Sequence, residues 1–461
     1  MDRLPHDLLC KIFLETLPER REIEYKQRHS APFLMPLYIS HVCKKWREVA
    51  LSLGELWSFL CITYNGGEES KLRITILEVF DTFLERTNGS PLNFTFYCYL
   101  SRGLQEDSRR VAEHITTTLL SEQSRWRDVD FVWTGLQPSP HLQGISATNM
   151  PMLTALALHV SIYSDDGAPI VAHVSTAHSL SLERLTLLGN FTLETGDDPI
   201  LTLRQPSMLM FEDECTESAA VDTCVEFLKS APRLTDFHAC FDCKSSDLTI
   251  RQNDETMFVS SNLQKLKLES GRPSAFVLKD MTLPSLAVLF YEYGRYEGGG
   301  EILFRFIQRS SPPLTYLELY DYGAEEDVLI STIRLLPTLL QLRISGATVS
   351  TQFFQTLTMA SNNSAPDASP AIEDHVICPG LRLLCLGSLR ILGNRDTCIN
   401  ALISMLNSRK QIFKVFKLGG YGRTRAVDLD KIDLYELQEC LNGSTFLAQT
   451  DDIITYPFGL R

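Results

Sequence analysis

Leu314-Thr315-Tyr316-Leu317-Glu318-Leu319 decides the architecture, because the chain repeats its pattern many times. The same Leu-x-x-Leu-x-Leu frame recurs as Leu263/Leu266/Leu268, Leu286/Leu289/Tyr291, Leu339/Leu342/Ile344 and Leu381/Leu384/Leu386. Upstream it reads Leu153/Leu156/Leu158, Leu182/Leu185/Leu187 and Leu234/Phe237/Ala239, and downstream Phe413/Phe416/Leu418. Weaker members fall at Leu92–Tyr97, Val129–Trp133 and Leu209. The starts at 263, 286, 314 and 339 lie 23, 28 and 25 residues apart. The last two apolar positions alternate with period two, which is a short strand with one face buried. Amphipathic stretches of helical period separate the strands at Cys224–Leu228, Ile302–Ile307, Val328–Leu336 and Ile399–Leu406. A strand and a helix recurring at this period predict an α/β repeat array, in which each unit buries its apolar face only against its neighbours.

That unit resembles the leucine-rich repeat, over most of residues 91–445. The resemblance implies a solenoid of short parallel strands alternating with helices, exposing a long strand-lined surface suited to protein recognition. The wider interval between Leu339 and Leu381 holds a Ser/Asn/Ala/Pro stretch, so residues 360–376 are expected as a disordered surface loop.

On a strand the residue between the two inward leucines must face the other way. Those residues are Thr186, Lys267, Phe290, Glu318 and Arg343, with Tyr320 among the next outward positions. Tyr293, Tyr296 and Tyr322 follow two neighbouring strands. An exposed aromatic cluster usually marks a contact site, so a substrate surface is expected from Phe290, Tyr293, Tyr320 and Tyr322. Glu318 and Arg343 are expected as its charged rim.

The first 62 residues read differently. Leu4-Pro5 opens an amphipathic segment carrying Leu8, Leu9, Ile12, Phe13 and Leu17, and Pro18 stops it. Ile39, Val42, Cys43, Trp46, Val49, Ala50 and Leu53 fall on one helical face, and Leu56-Trp57 follows the Gly54 break. Taken together, Leu4-Pro5-x-Asp7-Leu8-Leu9-x-x-Ile12-Phe13, Ile39-Ser40-x-Val42-Cys43-x-x-Trp46-Arg47 and Leu53-x-x-Leu56-Trp57 resemble the F-box motif, in the version abundant in mushroom-type fungi. The resemblance implies a Skp-type adaptor as partner, and through it a cullin. Its docking residues would be Leu4, Pro5, Leu8, Leu9, Ile12, Phe13, Ile39, Val42, Cys43, Trp46, Leu53, Leu56 and Trp57. Two departures stand out: a charged, Pro-bounded insertion at 19–36, and a motif that begins almost at Met1. Residues 63–90 are read as a connecting segment and 446–461 as a tail.

F-box helices before leucine-rich repeats imply the substrate-recognition subunit of a cullin–RING ubiquitin ligase, holding a protein substrate on its repeats. The competing reading is a repeat scaffold whose helices merely cap the array and recruit no ligase. The two separate on whether Leu8, Ile12, Val42 and Trp46 face solvent or the core.

Composition narrows the classes further. The 461 residues are 44% hydrophobic and 22% charged, enough apolar surface for a folded body, and the net charge of −14 disfavours a nucleic-acid partner. No signal peptide or membrane-length apolar run is visible, and 12 dispersed cysteines suit reduced thiols in the cytoplasm or nucleus. Cys240-x-x-Cys243 beside His238 is the one metal-like spacing, but no second pair completes a zinc set, so structural thiols are favoured. Gly298-Gly299-Gly300 and Gly419-Gly420-Tyr421-Gly422 lack the residues that make glycine turns bind phosphate or dinucleotide. His173 and His178 miss the spacing that would put both on one helical face. Nothing asks for a cofactor or a metal, and no nucleophile or acid/base pair is assembled, so no catalysis is expected.

Overall fold

A computed structural model describes residues 4–17, 35–66, 70–100, 106–136, 144–146, 150–163, 169–170, 172–175, 181–189, 191–194, 203–205, 207–245, 258–269, 271–293, 298–359, 377–413, 415–418 and 445–448. The expected loop at 360–376, almost all of the 19–36 insertion and most of the 446–461 tail lie outside them, as do Tyr296, His178 and Gly419–Gly422. The chain is α/β and forms two compact units, the first Met1–Cys215 with Cys243–Ser245, the second Thr216–Asp242 with Ser246–Arg461.

Among the described residues, the first unit opens with helices α1 (His6–Glu15), α2 (Met35–Ser40), α3 (Lys44–Ser52) and α4 (Gly54–Trp57). Pro5 precedes the first turn of α1, and the Thr16 hydroxyl donates to the Phe13 carbonyl at its end. The single apolar face expected over 39–53 is divided between α2 and α3. The Cys43 side chain caps α3 by accepting from the Trp46 N–H at 3.4 Å, so His41–Cys43 form a turn and the period restarts. Trp57 is wholly buried, its indole donating to the Ala50 carbonyl at 2.7 Å and its ring packed 5.0 Å from Phe83.

The sheet begins earlier than the repeat pattern suggests. β1 (Phe59–Asn65) pairs in parallel with β2 (Leu92–Leu100), and α5 (Ser70–Arg86) connects them. Within the expected connecting segment 63–90, residues 63–65 are therefore strand and 70–86 a crossover helix, a correction to that reading. The strand escaped notice because Cys61 and Thr63, rather than leucines, flank its apolar positions. α6 (Glu106–Ser121) leads to β3 (Trp126–Leu136). The short β4 (Gly144–Ser146), β5 (Ala155–Tyr163), β6 (Pro169–Ile170), β7 (Ala172–Ser175), β8 (Arg184–Gly189), β9 (Phe191–Glu194) and β10 (Ser207–Thr216) follow. The main order is β1-β2-β3-β5-β8-β10, with β4-β7-β9 a separate parallel sheet and β6 antiparallel to β5. Its core is aromatic: Phe96 lies 5.3 Å from Phe131 and 5.9 Å from Trp133.

The second unit holds α7 (Glu217–Ser230), all but the last three residues of β11 (Asp236–Ser245), β12 (Phe258–Val259), β13 (Lys265–Glu269), α8 (Gly271–Lys279), β14 (Met281–Thr282) and β15 (Val288–Glu292). It continues with α9 (Gly299–Ser310), β16 (Tyr316–Tyr320), α10 (Glu326–Arg334), β17 (Gln341–Ser345), β18 (Thr348–Val349) and α11 (Thr351–Leu357). Last come β19 (Leu383–Gly387), β20 (Arg390–Ile391), α12 (Arg395–Arg409), β21 (Val415–Leu418) and β22 (Thr445–Ala448). β11, β13, β15, β16, β17, β19, β21 and β22 pair in that order and in parallel.

Equivalent repeat positions meet across the ladder: Leu266 opposes Leu289, then Leu317, Leu342, Leu384 and Phe416 in turn. All six are buried, as are helix residues such as Leu303, Phe306, Ile330, Phe353 and Met405. Each buried leucine contributes about 2 kcal/mol, and lateral repetition places them all on one side.

Arg409, fully buried at the end of α12, donates to the carbonyls of Leu357 at 2.5 Å, Cys378 at 2.8 Å and Ile377 at 2.5 Å. Burial pulls its guanidinium below the usual arginine range, yet three carbonyl partners hold it in place. Arg409→Met would strand all three, and is expected to cost about 3 kcal/mol. Urea unfolding measures this; an unchanged midpoint would mean that water satisfies the carbonyls.

Candidate functional site

The N-terminal helices divide the proposed docking residues in two. Leu9, Phe13, Ile39, Leu56 and Trp57 are buried and hold the helices together, so they are corrected from contact surface to core. The physical reason is spacing: Leu9 and Phe13 lie one turn apart, and the Phe13 ring sits 5.0 Å from Trp46. Leu8, Ile12 and Val42 remain exposed, at 47%, 44% and 57%. Pro5 and Cys43 are also exposed, and Leu4, Trp46 and Leu53 are half-buried. The Lys45 ammonium donates to the Leu4 carbonyl at 2.8 Å, which ties the start of α1 to α3, while Arg47 donates to the Ser40 carbonyl and braces the turn. Tyr38, 65% exposed, and Leu51 add apolar surface that was not anticipated. Tyr38 was legible in principle, since it directly precedes Ile39, which is inward.

The second candidate lies on the face of the second unit's sheet turned away from the leucines. Lys267, Phe290, Glu318, Arg343 and Cys385 oppose one another in a single lateral row, with His238 next to Lys267. The expected exposed aromatic patch is not there. Phe290 is buried, with the Lys267 ammonium 5.1 Å from its ring centroid, because side chains this large on strands about 4.8 Å apart cover one another. Tyr293 keeps the period of Leu289 and Tyr291 and turns inward. Tyr322 also turns inward, because Asp321 takes a left-handed φ of 49° and inverts the alternation. The two rings pack 5.3 Å apart. Gly299 and Gly300 fit beneath them as the buried first turn of α9: a Cβ on Gly299 would stand 2.9 Å from the Tyr293 ring, and one on Gly300 2.5 Å from the Ala324 Cβ. Tyr320 alone of these aromatic residues stays half-exposed.

Glu318 and Arg343 are likewise no rim. Their side chains are 5% and 3% exposed, with the guanidinium 3.7 Å from the carboxylate and 5.4 Å from the Tyr316 ring centroid. The Tyr316 hydroxyl donates to Glu318. Burial pushes the Glu318 carboxyl above its usual range, against the pull of Tyr316, Arg343 and Lys267. Beside it, Glu269 accepts from His238 at 2.6 Å and pairs with Lys267 at 2.9 Å. Burial alone would raise Glu269, but these two partners hold it below the usual carboxylate range. Since His238 Nε2 meets a carboxylate, that nitrogen carries the proton.

Phe237 and Ala239 are buried, as their repeat positions require, and the Cys240 thiol is half-buried. The Cys243 side chain lies outside the described residues. Among those described, no group of three His, Cys, Asp or Glu side chains could hold a metal ion, and no helix is long and apolar enough to cross a membrane. No family model matches the chain, and no curated protein matches it.

Proposed function

We propose that this chain is the substrate-recognition subunit of a Skp–cullin–F-box type ubiquitin ligase, docking a Skp-type adaptor through its N-terminal helices. The strand-and-helix repeats would form a leucine-rich-repeat solenoid that holds a protein substrate. The observation that carries the adaptor half is the exposure of Leu8 and Ile12 on α1 and of Val42 in the turn after α2, while Leu9, Phe13 and Ile39 are buried and Trp46 is half-buried against Phe13. A terminal cap would turn both sets inward. Single exposed apolar residues are ordinary, but several on adjoining short helices mark a contact surface. The in-register leucine skeleton supports the solenoid half.

The exposed positions make a clean test, because surface substitutions away from the core change stability by only about 0.5 kcal/mol. Ile12→Asp and Val42→Asp, each in the full chain, are expected to reduce adaptor capture at least roughly tenfold, the effect of losing an interface anchor. Circular dichroism should be unchanged. Undiminished capture by both variants would overturn the proposal, as would failure of the unaltered chain to bind adaptor.

A further inference from the structure

Gly298, Gly299 and Gly300 lead into α9, which follows β15 in the second unit. Gly298 takes a left-handed φ of 92° and Gly299 begins the helix. A left-handed residue followed by a helical one points successive N–H groups the same way, which makes a concavity for an anion. The first N–H groups of a helix also have no partner inside it, and its dipole favours negative charge there. α9 runs for 12 residues and has no side-chain cap. Among the described residues, no acceptor takes the N–H groups of Gly298, Gly299 or Gly300.

Two hydroxyls stand over this turn. A Cβ on Gly300 would lie 3.3 Å from the Tyr322 hydroxyl, and one on Gly299 3.2 Å from the Tyr291 hydroxyl. Tyr322 is fully buried, and its hydroxyl has no hydrogen-bond partner among the described residues. A buried hydroxyl is rarely left so, because nothing then offsets its desolvation. Burial, and then Tyr293, push Tyr322 above the usual tyrosine range, so it keeps its proton and meets an anion as a donor. At Gly298 the turn is exposed, and a Cβ there meets nothing within 4 Å, so the concavity opens to solvent. Of the neighbouring carboxylates, Glu301 pairs with Arg305 at 2.9 Å, and Glu326 accepts from the N–H groups of Ser350 and Phe353. In parallel α/β sheets ligands bind outside the carboxyl ends of the strands, the side on which β15 runs toward α9 and β16 toward Tyr322.

We propose that the Gly298–Gly300 turn binds a small oxyanion of the phosphate class on its backbone N–H groups, with the Tyr322 hydroxyl as a further donor. A phosphate loop carries a lysine after its glycines, and this sequence has none there. A neutral hydroxyl from beyond β16 completes the donor set instead. The oxyanion is either free in solution or carried on a side chain of a bound protein. The inference does not rest on the ligase reading.

The test titrates inorganic phosphate into the full chain at constant ionic strength, followed by the phosphorus NMR line width. Saturable binding is expected, which separates a site from the general exclusion of phosphate from protein surfaces. Tyr322→Phe keeps the ring packed on Tyr293 and removes only the donor. It should weaken phosphate binding at least roughly tenfold, as one charge-assisted hydrogen bond is lost. Its urea midpoint without phosphate should not fall, since the hydroxyl it removes has no partner there. Absence of saturable binding, or equal binding by Tyr322→Phe, would refute the proposal. Competition by a random phosphoserine peptide library, set against the same library unphosphorylated, separates the two sources. Displacement by the phosphorylated library alone places the oxyanion on a protein, and displacement by neither makes free phosphate the ligand; each upholds the site.

Discussion

Gly135→Ala should destabilise the first unit by about 4 kcal/mol, combining strain of up to about 2 kcal/mol with the cost of forcing an atom into a packed site. Gly135, in β3, has φ 111°, which an L side chain rarely adopts, and an added Cβ would stand only 1.7 Å from the Leu100 carbonyl oxygen on β2. That neighbour is backbone in the adjacent strand, so no rotamer change relieves the contact. Gly89 provides the control: its φ is 77°, but a Cβ there meets nothing within 4 Å. Gly89→Ala should therefore cost only the conformational strain, about 1 kcal/mol. Urea unfolding of the two variants separates strain from collision. Equal losses would mean that the β2–β3 pairing yields by more than an ångström at little cost.

The leucine frame was legible because the same two constraints, burial and strand alternation, act at every repeat. Leu266, Leu289, Leu317, Leu342 and Leu384 pair as the spacing implies. β1 was not, since its outward Cys61 and Thr63 carry no repeat signature and its partner lies 34 residues away, Cys61 opposite Thr95. Alternation told correctly that Phe290, Glu318 and Arg343 leave the leucine side. It could not tell that they would cover one another, because lateral neighbours come from different repeats and their sizes add only once the register is set. At the N-terminus, helical period located the apolar stripe, but which part faces a partner depends on packing between helices. The Phe13–Trp46 contact decides that, and no single helix encodes it.

Arg343→Met should cost about 3 kcal/mol, because removing one member of a buried pair leaves its partner's charge desolvated. Glu318 would keep the Tyr316 hydroxyl and the more distant Lys267, but lose the cation 3.7 Å away. Glu318 already titrates above the ordinary carboxylate value, mainly through burial, and loss of Arg343 raises it further. A raised folded-state value means that the native protein holds its proton more tightly than the unfolded chain. The resulting stability is fully present below the unfolded value, and is lost as pH rises through the folded one. The Arg343→Met deficit should thus be largest at neutral pH and shrink as the pH falls toward the ordinary carboxylate value of 4.5. Adding Glu318→Leu to Arg343→Met should recover most of the loss, since an apolar pair of similar volume has no charge to desolvate. Urea midpoints of the single and double variants across that pH range make the comparison. A deficit independent of pH, or a double variant no more stable than the single, would show that Arg343 acts through packing against Tyr316 rather than through the charge of Glu318.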